Sequence, residues 1–201
     1  MHSSYHTMKA HWKLSGLITG VLLSISAWQL DIGRVSSHFQ AWLTENLLQT
    51  AWIRTQATGH EVKPWPWAET WPLARLLVPH LHIDQIILAR ASQGIFPFAM
   101  GHLDSSVLPG EVGNSNISVH RDTYFSFFQS LKPGDSLILE SFRSGRWRYE
   151  VSGVYIVSKT DTRFLEPSSI RRLTLVSCYP CNGVDDLLRY VVIADEAERI
   201  I

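Results

Sequence analysis

At 201 residues the chain has room for one domain of ordinary size plus appendages. Charged residues make up 18% of it and the formal net charge is zero, so it lacks the basic patch of a nucleic-acid-binding protein. Its two cysteines, Cys178 and Cys181, are too few for a disulfide-stapled scaffold and half of a four-cysteine zinc site.

Residues 1–13 are polar, with Lys9 and Lys13 as the only full charges. The 17 residues from Leu14 to Leu30 carry no charge and are bordered by tryptophan (Trp12, Trp28). That length is at the short end of what spans a bilayer, and tryptophan favours the membrane–water boundary. The segment therefore reads as an uncleaved transmembrane anchor at 14–30. The lysines before it keep residues 1–13 as a cytoplasmic tail and send the remainder across the inner membrane. A cleaved signal peptide is the rival, but its small-x-small site, Ser24 to Ala27 at best, is followed by the bulky Trp28.

Ile32, Val35, Phe39, Trp42, Leu43, Leu48 and Trp52 recur at helical spacing, which predicts an amphipathic helix over 31–59. A Pro/Trp-rich linker follows over 60–73, where Lys63-Pro64-Trp65-Pro66-Trp67 cannot be helical. Ala68 to Leu77 reads as a short helix. From 74 to 201 the pattern is of strands and turns. Leu81–Ile83 and Ile86–Leu88 read as two strands across a turn at Asp84-Gln85. Gly101 to Asn114 reads as a long loop after Ile95–Ala99, and Asn116–His120 as a strand. An aromatic turn at Phe125–Phe128 comes next. Further strands are expected at Ser136–Glu140, Trp147–Val157, Leu173–Ser177 and Tyr190–Ala194, with turns at Lys132–Asp135 and Ser144-Gly145. About eight short strands punctuated by Gly and Pro imply a mainly β fold, a closed or nearly closed barrel.

Cys178 ends one expected strand and Arg189 stands at the mouth of the next. If these strands are neighbours, a thiol and a permanent cation share one end of the sheet. A thiol needs a base or a lowered pKa to act as a nucleophile. Among nine histidines, His120 stands at the end of the run Asn116-Ile117-Ser118-Val119, in the same kind of position as Cys178. The alternative for His120 is a structural histidine, and for Arg189 an ion pair with Asp185 or Asp186. Two other functions compete. One is thiol–disulfide exchange through Cys178-x-x-Cys181, although no βαβ pattern surrounds that pair. The other is a non-catalytic, membrane-anchored barrel that binds a partner.

Leu173-Thr174-Leu175-Val176-Ser177-Cys178 followed by Arg189 resembles the Thr-Leu-x-Thr-Cys…Arg signature of sortases. Asn114 to Thr123 is similar to their Gly-Asn-x-x-x-x-Gly-His-Arg segment, with Val119 where the pattern has Gly and Ser177 where it has Thr. Pro64 to Pro72 and Cys178-Tyr179-Pro180 resemble the branch found in marine proteobacteria. The resemblance, over roughly Pro64 to Asp195, implies a closed eight-stranded sortase-type barrel and a cysteine transpeptidase. Its catalytic residues would be Cys178, His120 and Arg189. Ser177, Tyr179, Asp122 and Thr123 would be substrate-binding candidates. Its partners would be a protein bearing an LPxTG-like C-terminal sorting signal, an amine acceptor and the lipid bilayer. No metal or organic cofactor is implied: a calcium site would need an acidic cluster, and Asp104 and Glu111 are too scattered to form one.

Overall fold

The computed structural model describes residues 42–90, 100–119, 127–180 and 187–200. The chain divides into two units, 1–45 and 46–201, and only residues 42–45 of the first are described. The expected anchor at 14–30 lies outside the described residues. Among those described, no helix is long and apolar enough to cross a membrane.

Eight strands close into a barrel: β1 (Pro72–Val78), β2 (Ile83–Leu88), β3 (Met100–His102), β4 (Gly113–Val119), β5 (Ser136–Ser141), β6 (Gly145–Ser158), β7 (Arg171–Tyr179) and β8 (Leu188–Ile200). Their order around the wall is β1-β2-β3-β4-β7-β8-β6-β5. The β2–β3 and β4–β7 pairs are parallel and the other six antiparallel. Eight strands leave an interior just wide enough for side chains to fill. Leu76, Ile87, Met100, Ile117, Leu139, Leu173, Leu175 and Val192 fill it, with Phe128 and Tyr149.

Turn chemistry sets the strand ends. In the turn before β5, the Lys132 amide donates to Asp135 Oδ2 at 2.8 Å, and Gly134 takes φ +91, a conformation that favours glycine. In the β5–β6 hairpin, Trp147 Nε1 donates to the Ser144 carbonyl at 2.9 Å.

Three expectations are corrected. Residues 72–77 are strand, not helix: β1 pairs with β2 on one side and β5 on the other, and two ladders outweigh the helix preference of Leu and Ala. Ile83–Leu88 is one strand. The chain reverses earlier, in a 3-10 turn at Pro79–Leu81 closed by His82 in the left-handed region, while Asp84 accepts from Arg75 across the β1–β2 ladder at 2.7 Å. Met100–His102, partly assigned to a loop, is β3.

Residues 42–58 are helical, and residues 31–41 of the expected amphipathic helix lie outside the described set. Leu48, Ala51, Trp52 and Thr55 are buried at helical spacing. Leu48 and Trp52 pack on Ile86 and Leu88 of β2 and on Phe142.

Candidate active site

Side chains alternate between the two faces of a strand, so the core residues fix which way the others point. On β7, Leu173 and Leu175 enter the core, so Thr174, Val176 and Cys178 face outward. On β8, Val192 and Ala194 are inward, and Arg189, Val191, Ile193 and Asp195 outward. The Arg172–Asp195 ion pair, 2.7 Å across the same ladder, lies on that outer face. On β4, Ile117 and Val119 are inward, and Asn114, Asn116 and Ser118 outward.

Cys178 and Arg189 are cross-strand partners, and both are half-buried. Directly opposed residues on one face have Cβ atoms about 4.5–5.5 Å apart, well within the length of an arginine side chain. The Arg189 guanidinium donates through Nη1 to the Leu188 carbonyl at 2.9 Å, which draws it along the strand end. The arrangement places a nucleophile beside a fixed positive charge with several N–H donors. It suits a reaction in which an oxyanion develops next to sulfur.

Ser177 and Tyr179 belong to the opposite face. Ser177 is buried in the wall, and its hydroxyl finds no hydrogen-bond partner among the described residues. The Tyr179 ring lies 6.1 Å from that of Tyr190, which meets Phe128 edge-on at 5.2 Å. Burial, and secondarily Tyr179, raises the pKa of the Tyr190 hydroxyl. The two residues therefore support the barrel end beneath Cys178 rather than sharing its face.

His120, Asp122, Thr123, Cys181, Asp185 and Asp186 lie outside the described residues. His102 is a buried structural histidine, its Nε2 2.9 Å from the Val107 carbonyl and 3.1 Å from Ser106 Oγ. His80 pairs with Asp135 at 3.3 Å. No cluster of acidic, histidine or cysteine side chains able to hold a metal ion occurs among the described residues. Cys178 sits on a strand and not at a helix N-terminus, the setting that usually lowers a redox-active thiol's pKa. The fold thus gives no support to thiol–disulfide exchange.

Residues 76–197 match the family model described as Sortase domain. Over 120 residues the chain is 31% identical to Sortase D of Bacillus subtilis (strain 168), an alignment covering 58% of this chain and 60% of that protein. The chain therefore spans about 60% of the length of that relative. Among solved structures, a Clostridium perfringens Sortase D5 transpeptidase superposes with a TM-score of 0.63 at 18% identity, covering 78% of this chain and 99% of that one. Sortase A from Corynebacterium diphtheriae gives 0.58 at 23% identity, covering 67% and 64%. At those identities the two structures establish a shared fold.

Proposed function

Because the chain belongs to the sortase family, we propose that it is a cysteine transpeptidase acting on proteins with an LPxTG-like sorting signal. In this reading Cys178 attacks the carbonyl between the Thr and Gly of the signal. Arg189 stabilises the tetrahedral oxyanion and His120 protonates the departing amine, leaving a thioester on Cys178. An acceptor amine, deprotonated by His120, then attacks the thioester and releases the ligated product. No metal or organic cofactor takes part.

The observation that carries this reading is the Cys178–Arg189 cross-strand pair. The place of His120 is supported by connectivity. It is bonded to Val119, the last residue of β4, and β4 runs parallel to β7 with Ser118 beside Val176. His120 follows Ser118 by two positions in the sequence, as Cys178 follows Val176. The site lies on the exported side of the inner membrane if residues 14–30 anchor the chain. Within the family we assign the chain to the marine proteobacterial branch, on its Pro64–Pro72 and Cys178-Tyr179-Pro180 segments.

The test is transfer itself. Full-length protein in detergent is mixed with a sorting-signal peptide and an amine acceptor, and products are followed by mass spectrometry. The expected product joins the Thr carbonyl to the acceptor amine, with loss of the Gly-terminal fragment. Absence of both transfer and cleavage across a panel of such peptides contradicts the proposal.

A further inference from the structure

We propose that Asn114, Asn116 and Thr174 are positioning residues that clasp the β6–β7 connection onto the barrel as a preformed wall of the peptide groove beside Cys178. The catalytic consequence rests on the transpeptidase reading. The clasp itself rests on geometry alone.

β6 and β7 are not neighbours, since both flank β8. β6 ends at Ser158, opposite Leu188, which also pairs with Tyr179, so it ends at the Cys178 end of the wall. β7 begins at Arg171, eight residues before Tyr179 and roughly 26 Å away at strand spacing. The connection, residues 159–170, must therefore run the length of the wall. It crosses the outer face of β4 and β7, because the outward side chains of those strands hold it there. Asn114 Nδ2 donates to the carbonyls of Phe164 and Glu166, both at 2.9 Å. Asn116 Nδ2 donates to the Leu165 carbonyl at 3.3 Å. The Thr174 hydroxyl donates to Asn114 Oδ1 at 2.8 Å, fixing which way that amide points, and lies 3.4 Å from the Phe164 carbonyl.

All three side chains are almost fully buried: Asn114 is 4% exposed, Asn116 2% and Thr174 0%. Surface connections ordinarily leave their carbonyls to water. Here three consecutive carbonyls are bound by amide donors, so lifting the segment leaves buried polar groups without partners. Thr174 stands four residues before Cys178 on the same face, roughly 13 Å along the strand. An extended peptide whose scissile carbonyl meets Cys178 covers that distance with about four residues. The clasped segment thus borders the path of a substrate without touching the thiol.

The test compares Thr174→Val, which keeps shape and removes the hydroxyl, with Thr174→Ser, which keeps the hydroxyl, and adds the isosteric Asn114→Asp. Amide hydrogen exchange over 159–170 should accelerate about tenfold in Thr174→Val, the factor one neutral hydrogen bond supplies, and return towards wild type in Thr174→Ser. KM for a sorting peptide should rise with the exchange rate in the valine variant. kcat should change less, and alkylation of Cys178 by a methanethiosulfonate should be unaffected. Wild-type exchange and KM in Thr174→Val overturn the proposal. So does an equal rise of KM in the valine and serine variants, which would point to bulk and not to the hydroxyl. If the wild-type chain transfers no peptide, the functional reading fails, while the exchange comparison of the threonine variants still decides the clasp should Asn114→Asp not fold.

Discussion

Cys178 and Arg189 face each other across the β7–β8 ladder, on the outer face of the barrel and at one of its ends. Ten residues lie between them in sequence, and the antiparallel pairing returns the chain so that sulfur and guanidinium share one surface. The β8 strand that presents Arg189 is held on its other edge by β6, which fixes the register along its length.

Arg189→Ala should lower kcat/KM for peptide transfer about 100-fold, the usual cost of one oxyanion donor, with the melting transition little changed. The side chain is half-buried on the outer face and donates to its own strand's Leu188 carbonyl, so its loss removes no core packing. Arg189→Lys keeps the charge but not the planar fork and should fall between the two. Steady-state kinetics beside thermal melts check this. Near-normal transfer in Arg189→Ala would exclude the oxyanion role.

Trp52 tests how the helix over 46–58 joins the barrel. It is 1% exposed and packs on Ile86 and Leu88 of β2. Trp52→Ala should lose about 3–5 kcal/mol by urea denaturation. Its indole N–H is buried without a partner among the described residues, so Trp52→Phe forfeits no hydrogen bond and should lose less than half as much. Equal losses in the two variants would contradict this account of the packing.

Gly153 underlies the half-exposed Tyr155 ring. A methyl group there would stand 2.5 Å from Tyr155 Cε2. Replacing glycine in a strand is ordinarily favourable for the backbone, but the clash opposes it. Gly153→Ala should therefore cost about 1 kcal/mol in the wild-type background, the low end for overpacking because the ring can swing out. In a Tyr155→Ala background the same change should be neutral or stabilising. A double-mutant cycle with no coupling would show that the ring does not lie over the glycine in solution.

In the β6–β7 connection, the Asp161 carboxylate accepts from the Arg163 side chain at 2.7 and 3.0 Å and from its backbone amide at 3.2 Å. These bonds, the side-chain one foremost, hold its pKa down at about 2 against an ordinary 3.8. A folded-state pKa below the unfolded one gives stability that is present above pH 3.8 and lost as pH falls through about 2. A carboxyl NMR titration should place the Asp161 midpoint near 2, and Arg163→Ala should return it to the ordinary carboxylate range. A wild-type midpoint near 4 would show the pair to be open in solution.

Strands whose apolar alternation is strong were legible from sequence, and so was the cross-strand placement of Cys178 and Arg189, because both residues stand at the ends of β-branched runs that become adjacent strands. Pro72–Val78 was not. Its Leu, Ala and Arg favour a helix locally, and only pairing with β2 and β5, settled far along the chain, makes it a strand. Met100–His102 is too short to show a period, and its parallel partner β2 is a non-local choice. Asn114, Asn116 and Thr174 lay inside the recognised motifs, but no local pattern announces that their side chains reach carbonyls 49 to 52 residues away for the two asparagines and 10 for the threonine. Ser177 and Tyr179 show the reverse: they are next to Cys178 in sequence, and strand alternation sends them to the other face.

The central claim is that Cys178 takes the acyl group. Intact-protein mass spectrometry of the full chain, quenched in acid soon after mixing with an LPxTG-type peptide, tests it most directly. The expected species is heavier by the acyl fragment ending in Thr, maps to Cys178 on digestion, disappears with hydroxylamine and is absent in Cys178→Ala. Turnover of the peptide with no adduct on Cys178, or undiminished turnover in Cys178→Ala, would contradict it.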